Sequence, residues 1–264
     1  MQFRQILVHI DHYASSRSRL QVAVGLARRH QARLTGLLVI RHQNPTADAV
    51  AAARELFEQE TAEAGVEARW LCIDGSAAEL GTNAIVAHHA HASDLLVVGQ
   101  GSQDSANVGV PFDLPESAVL NSGRPVLVVP FVGTFPSVGD RVLIAWKSGR
   151  ECARAVHDAL PLLVRAERVE ILAKRRPGQD LEDGEALGAE LGSYLGRHGV
   201  AATEHFMSLE ETPLGEALLN RVFDENFDLL VVGAHPHGHE GRLTLGSVGR
   251  HLLKEMTVPV LMSH

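Results

Sequence analysis

Residues 228–264 read DLLVVGAHPHGHEGRLTLGSVGRHLLKEMTVPVLMSH, and the fold can be inferred from their pattern. The apolar run at 229–232 ends at Gly233 and predicts a strand that is buried on both faces. Polar residues follow, and Gly246-Ser247 precede an amphipathic segment that is typical of a helix. A second apolar run at 258–262 ends the stretch. The predicted order is therefore strand, loop, helix and strand.

The same stretch has a counterpart earlier in the chain. The sequence DLLVVG at 94–99 recurs at 228–233, and PVL at 125–127 recurs at 259–261. Both anchors are shifted by 134 residues (228 − 94 and 259 − 125). Two identical anchors in the same register indicate an internal duplication.

A short linker separates the two copies. Residues 131–140 contain Gly133, Pro136 and Gly139, which are residue types that interrupt regular structure. Each copy is then about the size of one ordinary domain, since typical domains have roughly 100–200 residues. The predicted domains are 1–132 and 140–264.

In each half, apolar strands alternate with amphipathic helical segments. This alternation is typical of parallel βαβ units with right-handed crossovers and helices on both faces of the sheet. We therefore predict two tandem α/β domains, each a doubly wound, five-stranded parallel sheet. The third helix of the first half is predicted at 76–91, because Ser76 and Glu79 form an S-x-x-E capping box. Ligands of such sheets bind beyond the carboxyl ends of the strands, where the strand order reverses.

Charge and composition exclude several classes of function. A net charge of −8 and an isoelectric point near 6.0 argue against nucleic acid as the main partner. No apolar run reaches the roughly 18 residues that cross a bilayer, and the opening MQFRQILVHIDH reads as a strand rather than a signal peptide. Cys72 and Cys152 form no CxxC motif and no disulfide framework. We expect a cytoplasmic protein that does not contact membranes.

A spaced glycine pattern follows the strand at 229–232. From Gly233 to Ser247 it reads G-x2-P-x9-G-S, which resembles the nucleotide-binding signature G-x2-G-x9-G-(S/T) of the universal stress protein family, with Pro236 at the second glycine. The duplication and the closing PVLMSH extend the resemblance over the whole chain. It implies Rossmann-like domains with strand order 3-2-1-4-5, a role in the stress response, and adenine-nucleotide binding in some members but not in others.

The resemblance also has implications for assembly. Domains of the family pair through their last strands, so we expect the two halves to form an internal pseudo-dimer about a pseudo-two-fold axis. A homodimer of the whole chain is the alternative, and an unknown protein partner is expected. The pairing of 125–129 with 259–262 would bury two sheet edges that otherwise invite aggregation.

The second half keeps most of the signature and is the predicted site. Backbone N–H groups at a helix N-terminus face anions and carry the positive end of the helix dipole. Lys147, after Trp146, stands where family members that bind ATP usually place an Asp. The residues predicted to bind ATP, ADP or AMP are Gly233, Ala234, His235, Gly238, Gly246, Ser247, Val248, Trp146 and Lys147. The alternative is that the glycines serve tight turns alone.

The first half has the opposite pattern. It keeps the Asp of the family at Asp11, but Ser102 replaces the second glycine and Phe112-Asp113 replace Gly-Ser. Phe112 removes the backbone freedom of a glycine, and Asp113 places a negative charge where phosphate would lie. We therefore expect the first half to be a packed partner domain that binds no nucleotide.

Neither a metal site nor a catalytic site is strongly indicated. His235, His237 and His239 are weak candidates for zinc ligands, since imidazole nitrogens bind Zn²⁺. The sequence has no G-x-S-x-G, H-E-x-x-H or G-x-x-x-x-G-K-(S/T) motif. The residues predict no enzymatic activity, and slow ATP hydrolysis would rest on the resemblance alone. Two other functions stay open: a scaffold that binds no nucleotide, and a zinc-binding stress protein.

Overall fold

A computed structural model describes residues 2–41, 45–76, 81–102, 109–174, 181–207, 213–239 and 242–264. The chain divides into two compact units, Gln2–Ser137 and Val138–His264. Each unit is built from strands that alternate with helices, as the sequence predicts.

The first unit contains one parallel sheet. Its strands are β1 (Gln5–Ile10), β2 (Arg33–Ile40), β3 (Ala68–Asp74), β4 (Leu95–Gly99) and β5 (Val126–Val129). Its described helices are α1 (Ser15–His30), α2 (Ala47–Glu63), α3 (Thr82–Ala90) and α4 (Leu114–Asn121). The strand order is β3-β2-β1-β4-β5. The direction of winding therefore reverses between β1 and β4, which makes the carboxyl end of β1 the switch point of this sheet.

The second unit repeats this arrangement. Its strands are β6 (Arg141–Trp146), β7 (Arg168–Lys174), β8 (Ala202–Met207), β9 (Leu229–Gly233), β10 (Pro236–His239), β11 (Arg242–Leu245) and β12 (Val260–Ser263). Its described helices are α5 (Arg150–Leu163), α6 (Leu181–Arg197), α7 (Leu214–Asp224) and α8 (Ser247–Glu255). The parallel order β8-β7-β6-β9-β12 confirms the predicted 3-2-1-4-5 winding. None of the helices in the described ranges is long and apolar enough to cross a membrane.

Two local features differ from the sequence-based expectations. The segment after β9 was expected to be a loop, but β10 and β11 form an antiparallel hairpin with Pro236 opposite Leu245. Leu245 is buried and Leu243 is exposed, so the short strand shows too few buried positions for a clear periodic signal. Helix α3 begins at Thr82 and not at Ser76, whose N–H instead donates to the carboxylate of Asp74 at 2.8 Å. Glu79 lies outside the described residues.

The Asp that begins each DLLVVG repeat binds the backbone at the start of the first strand of its unit. In the first unit, Asp94 accepts hydrogen bonds from the N–H groups of Arg4 (2.6 Å) and Gln5 (2.9 Å). In the second, Asp228 accepts from Gly139, Asp140 and Arg141 at 2.9–3.1 Å. A carboxylate that accepts several backbone N–H groups makes charge-assisted bonds, which are stronger than neutral ones. The four apolar residues that follow each Asp are fully or nearly fully buried, as the sequence predicts.

The glycine that ends β9 permits a close approach of helix α5. A methyl group added to Gly233 would overlap the backbone nitrogen of Cys152 and the carbonyl carbon of Glu151, in the first turn of α5. Backbone atoms of a packed helix cannot swing aside as the end of a long side chain can. Gly233 therefore has a packing role that does not depend on any ligand.

We predict that Gly233→Ala lowers the free energy of unfolding by about 1–3 kcal/mol, the usual cost of overpacking a filled site. Gly25→Ala is the matched control, because Gly25 lies in α1 with nothing within 4 Å of an added methyl group. Removing a glycine from a helix interior should raise stability by about 0.8–1 kcal/mol. Urea unfolding of both variants measures the difference, and equal effects of the two substitutions would contradict the packing role.

Candidate functional site

A cavity of about 420 Å³ lies at the carboxyl ends of β1 and β2 in the first unit. The end of β1 and the residues after it form one wall, and the end of β2 forms another. The lining is completed by Thr82 at the start of α3 and by Ser102, Gly109, Pro111 and Phe112 between β4 and α4. The volume falls within the roughly 300–1,000 Å³ of small-molecule sites, and the switch point is where doubly wound sheets bind ligands.

A buried ion pair lies at the edge of this cavity. Arg19 is only 2% exposed, and its guanidinium donates to one carboxylate oxygen of Asp11 at 2.6 Å. The other carboxylate oxygen of Asp11 accepts the N–H of Tyr13 at 2.8 Å. The guanidinium also donates to the hydroxyl of Ser16. Sequence reasoning identified Asp11 but missed Arg19, which reads as an ordinary surface residue of an amphipathic helix.

We predict that Asp11→Ala destabilises the first unit by roughly 3–5 kcal/mol, because it leaves the charge of Arg19 buried without a partner. The double variant Asp11→Ala/Arg19→Met should recover most of this loss, since an apolar pair often replaces a buried ion pair at little cost. Urea unfolding of the two single variants and the double variant gives the coupling energy. Additive losses in the double variant would rule out the pairing as the cause.

His9, on β1, also lines the cavity and is only 3% exposed. Its Nδ1 atom is buried and has no hydrogen-bond partner within the described residues. Burial, and then the positive charge of Arg19, lower the pKa of His9 from its ordinary value of 6.5 to about 4. The imidazole is therefore neutral near pH 7. The sequence signal that could have identified this residue is the presence of a histidine within the apolar run of β1.

We predict that the protein loses stability as the pH falls from about 6.5 to 4. The unfolded chain binds the His9 proton near pH 6.5, whereas the native chain binds it only near pH 4, so acid favours unfolding. The full difference is roughly 3 kcal/mol, at 1.36 kcal/mol per pKa unit. Urea unfolding between pH 7 and pH 4 should show a smaller loss of unfolding free energy for His9→Phe than for the wild-type chain. The exposed His205 provides the control: a slope equally reduced in His205→Phe would contradict the assignment.

The remaining walls of the cavity are apolar, aromatic and weakly charged. Leu38 and Val39 supply aliphatic surface, and the rings of His12 and Tyr13 lie 4.1 Å apart. Arg41 contributes a positive charge at the end of β2. Aliphatic walls beside aromatic rings suit a flat heterocycle, and the polar groups around them suit its nitrogens or attached hydroxyls.

The predicted glycine loop of the second unit is closed by its own hydrogen bonds. Gly233 and Ala234 are buried at the end of β9, and the N–H of Gly246 donates to the carbonyl of His235 at 3.0 Å. Nδ1 of His235 lies 3.1 Å from the carbonyl of Gly233. The segment between His235 and Gly246 is the β10–β11 hairpin, on which Gly238 is exposed.

Helix α8 provides the predicted anion-binding end. Gly246 is its N-cap, and Ser247 and Val248 are its first residues, with no acidic side chain in the first turn. The ring of His237 lies against this end, since a methyl group added to Gly246 would be 2.9 Å from its Cε1 atom. The first N–H groups of a helix have no partner within it and face outward along the axis.

The first turn of α5 adds a negative charge near the predicted loop. Glu151, in the first turn of α5, lies 3.6 Å from Nε2 of His235. A hydrogen bond from Arg150 holds the pKa of Glu151 below its usual value, so the carboxylate is ionised at neutral pH. Trp146 ends β6 with its indole N–H buried and unpaired within the described residues, and Lys147 follows it. The nucleotide-binding role of these residues stays a prediction.

The histidines of this segment do not converge in the part of the chain that the structure describes. His235 faces Gly233 and Glu151, whereas His237 lies against Gly246. The side chain of His239 lies outside the described residues. Among the described residues, no group of three or more His, Cys, Asp and Glu side chains is arranged to hold a metal ion. The zinc alternative therefore has no support from the described geometry.

Comparison with known proteins places these features in a family. Residues 140–264 match the sequence model of the universal stress protein family. The structure of a universal stress protein from Archaeoglobus fulgidus DSM 4304 has a TM-score of 0.74 at 17% identity, over 98% of this chain and 97% of that chain. A functionally unknown protein from Pseudomonas aeruginosa PAO1 has a TM-score of 0.66 at 16% identity, over 99% of this chain and 92% of that chain. No curated protein matches the sequence.

The fold defines a tandem of doubly wound α/β domains, and the structural likeness over nearly the whole chain agrees with it. Residues 140–264 therefore carry a universal stress protein domain. The resemblance inferred from the glycine pattern and the duplication is thus confirmed.

Proposed function

We propose that this protein acts in the stress response as a regulator that binds adenine nucleotides. The observation that carries the proposal is the cavity of about 420 Å³ at the switch point of the first unit. The universal stress protein domain of residues 140–264 supports the regulatory role. The geometry suggests no catalytic step, and we propose a binding protein rather than an enzyme.

The lining of the cavity gives each part of the ligand a partner. The aliphatic side chains of Leu38 and Val39 and the ring of Tyr13 would contact the adenine. The unpaired Nδ1 of His9 and the hydroxyl of Thr82 would bond to nitrogens of the base or hydroxyls of the ribose. Buried polar atoms gain most from a ligand that satisfies them, because leaving them unpaired is costly.

The glycine loop of the second unit is the second candidate site. The sequence predicts it, and the acid-free first turn of α8 beside His237 supports anion binding there. Pro236 offers no N–H, and the carboxylate of Glu151 lies close to His235. An AMP or ATP phosphate at this loop would therefore depend mainly on Ser247 and the following N–H groups.

Equilibrium dialysis with labelled AMP tests the proposal and separates the two sites. Val39→Trp should fill the cavity and weaken AMP binding at least tenfold, whereas Gly246→Val should leave the affinity nearly unchanged. Val132→Trp is the matched control, because Val132 is 72% exposed and outside the cavity lining. Circular dichroism establishes that each variant is folded.

The other outcomes are equally informative. Loss of binding in Gly246→Val but not in Val39→Trp would assign the site to the second unit, as the sequence predicts. Absence of binding by the wild-type chain at millimolar AMP and adenosine would contradict the proposal. A scaffold that binds an unknown protein partner would then be the better account of the chain.

A further inference from the structure

The cavity of the first unit has few charged side chains in its described lining. Among the Asp, Glu, Lys and Arg side chains, the described lining contains Asp11 and Arg41. The carboxylate of Asp11 is paired with the guanidinium of Arg19, and the ring of His9 is neutral because burial lowers its pKa to about 4. A bound polyphosphate would thus meet one positive side chain, Arg41, in this lining.

The segment between β4 and α4 offers no cationic side chain. Residues 99–113 contain no Lys and no Arg, but they include Asp104 and Asp113. Protein sites for phosphoryl groups usually combine helix N-termini and backbone N–H groups with Arg or Lys. The side chains of this segment add negative charge instead.

The described ends of this segment, 99–102 and 109–113, pack against each other. The N–H of Ser102 donates to the carbonyl of Val110 at 3.4 Å, and Ser102 forms an isolated β-bridge with Pro111. Gly101 packs directly on Phe112, since a methyl group added to it would be 2.6 Å from the carbonyl oxygen of that residue. Pro111 has no N–H to offer. The N–H groups of Gln100 and Ser102 are thus bonded to the carbonyls of Val129 and Val110 and are not available to a phosphate.

The N-terminus of α4 is already neutralised by acidic residues. Asp113 is the N-cap of the helix, Pro115 lies in its first turn and Glu116 follows. The carboxylate of Asp113 accepts a hydrogen bond from the side chain of Asn83 at 2.8 Å, and Asn83 follows the cavity-lining Thr82 in the sequence. Carboxylates at a helix N-terminus occupy the positive end of the dipole, which is the end that an anion would use.

We propose that this cavity binds an uncharged nucleoside, adenosine, more tightly than the corresponding di- and triphosphates. The inference rests on the proposed function, namely that the cavity binds an adenine compound. The heterocycle and the sugar hydroxyls find apolar walls and the nitrogen of His9, whereas each added phosphate brings negative charge toward Asp113. Selectivity thus comes from the side of the cavity where the family signature is replaced by Phe112-Asp113.

Competition binding at fixed ionic strength tests the order of affinity at this one site. Labelled adenosine is bound to the full chain and displaced with adenosine, AMP, ADP and ATP. The inhibition constant should rise along this series, with ATP at least tenfold weaker than adenosine. Val39→Trp should abolish the adenosine signal, which establishes that displacement reports on the cavity.

Asp113→Asn tests the charge without removing the hydrogen bond, because the amide oxygen can still accept from Asn83. The substitution should strengthen competition by ATP about two- to fivefold, the range for one charge at a helix N-terminus, and leave adenosine unchanged. Glu55→Gln is the control, since it removes one negative charge at an exposed position of α2.

ATP that binds more tightly than adenosine in the wild-type chain would overturn this inference and leave the proposed function intact. Equal gains for ATP in Asp113→Asn and Glu55→Gln would show that Asp113 does not set the selectivity. If neither adenosine nor any of its phosphates binds, the proposed function fails and this inference fails with it.

Discussion

The fold depends on the complete burial of one strand in each unit, β4 and β9. A strand that is apolar on both faces must be covered by helices on both sides of its sheet, and this requirement leads to a doubly wound arrangement. The Asp that precedes each strand holds the backbone that enters the neighbouring first strand. One hexapeptide, DLLVVG, thus supplies both the core and the fixed start of the sheet in each unit.

The two units use the carboxyl end of this strand differently. In the second unit, Gly233 lets the backbone of α5 approach at Cys152, so the space beside the strand is filled by helix. In the first unit, the side chain of Arg19 lies against Gly99 and reaches Asp11. Duplication therefore preserved the winding of the sheet, while a few side chains changed what occupies its switch point.

These differences alter which chemistry each unit can support. The first unit has a defined cavity with neutral His9 and aliphatic walls, and the acidic residues Asp113 and Glu116 lie at the N-terminus of its helix α4. The second unit keeps the glycines and a helix N-terminus without acids, but its hairpin closes on itself and brings Glu151 close to His235. The cavity and the helix N-terminus without acidic residues therefore lie in different units.

The sequence alone was enough to predict the duplication and the alternation of strands and helices. The family resemblance added the winding order. Those features follow from local periodicity and from identical anchors in register, which can be recognised along the sequence without a structure. It did not determine the cavity at β1 and β2, the Asp11–Arg19 pair or the β10–β11 hairpin. Asp11 and Arg19 meet only because α1 packs back onto β1, and His9 becomes neutral only because that packing removes water. Burial and proximity of this kind depend on the packing of segments that are distant in sequence, so only the tertiary structure shows them.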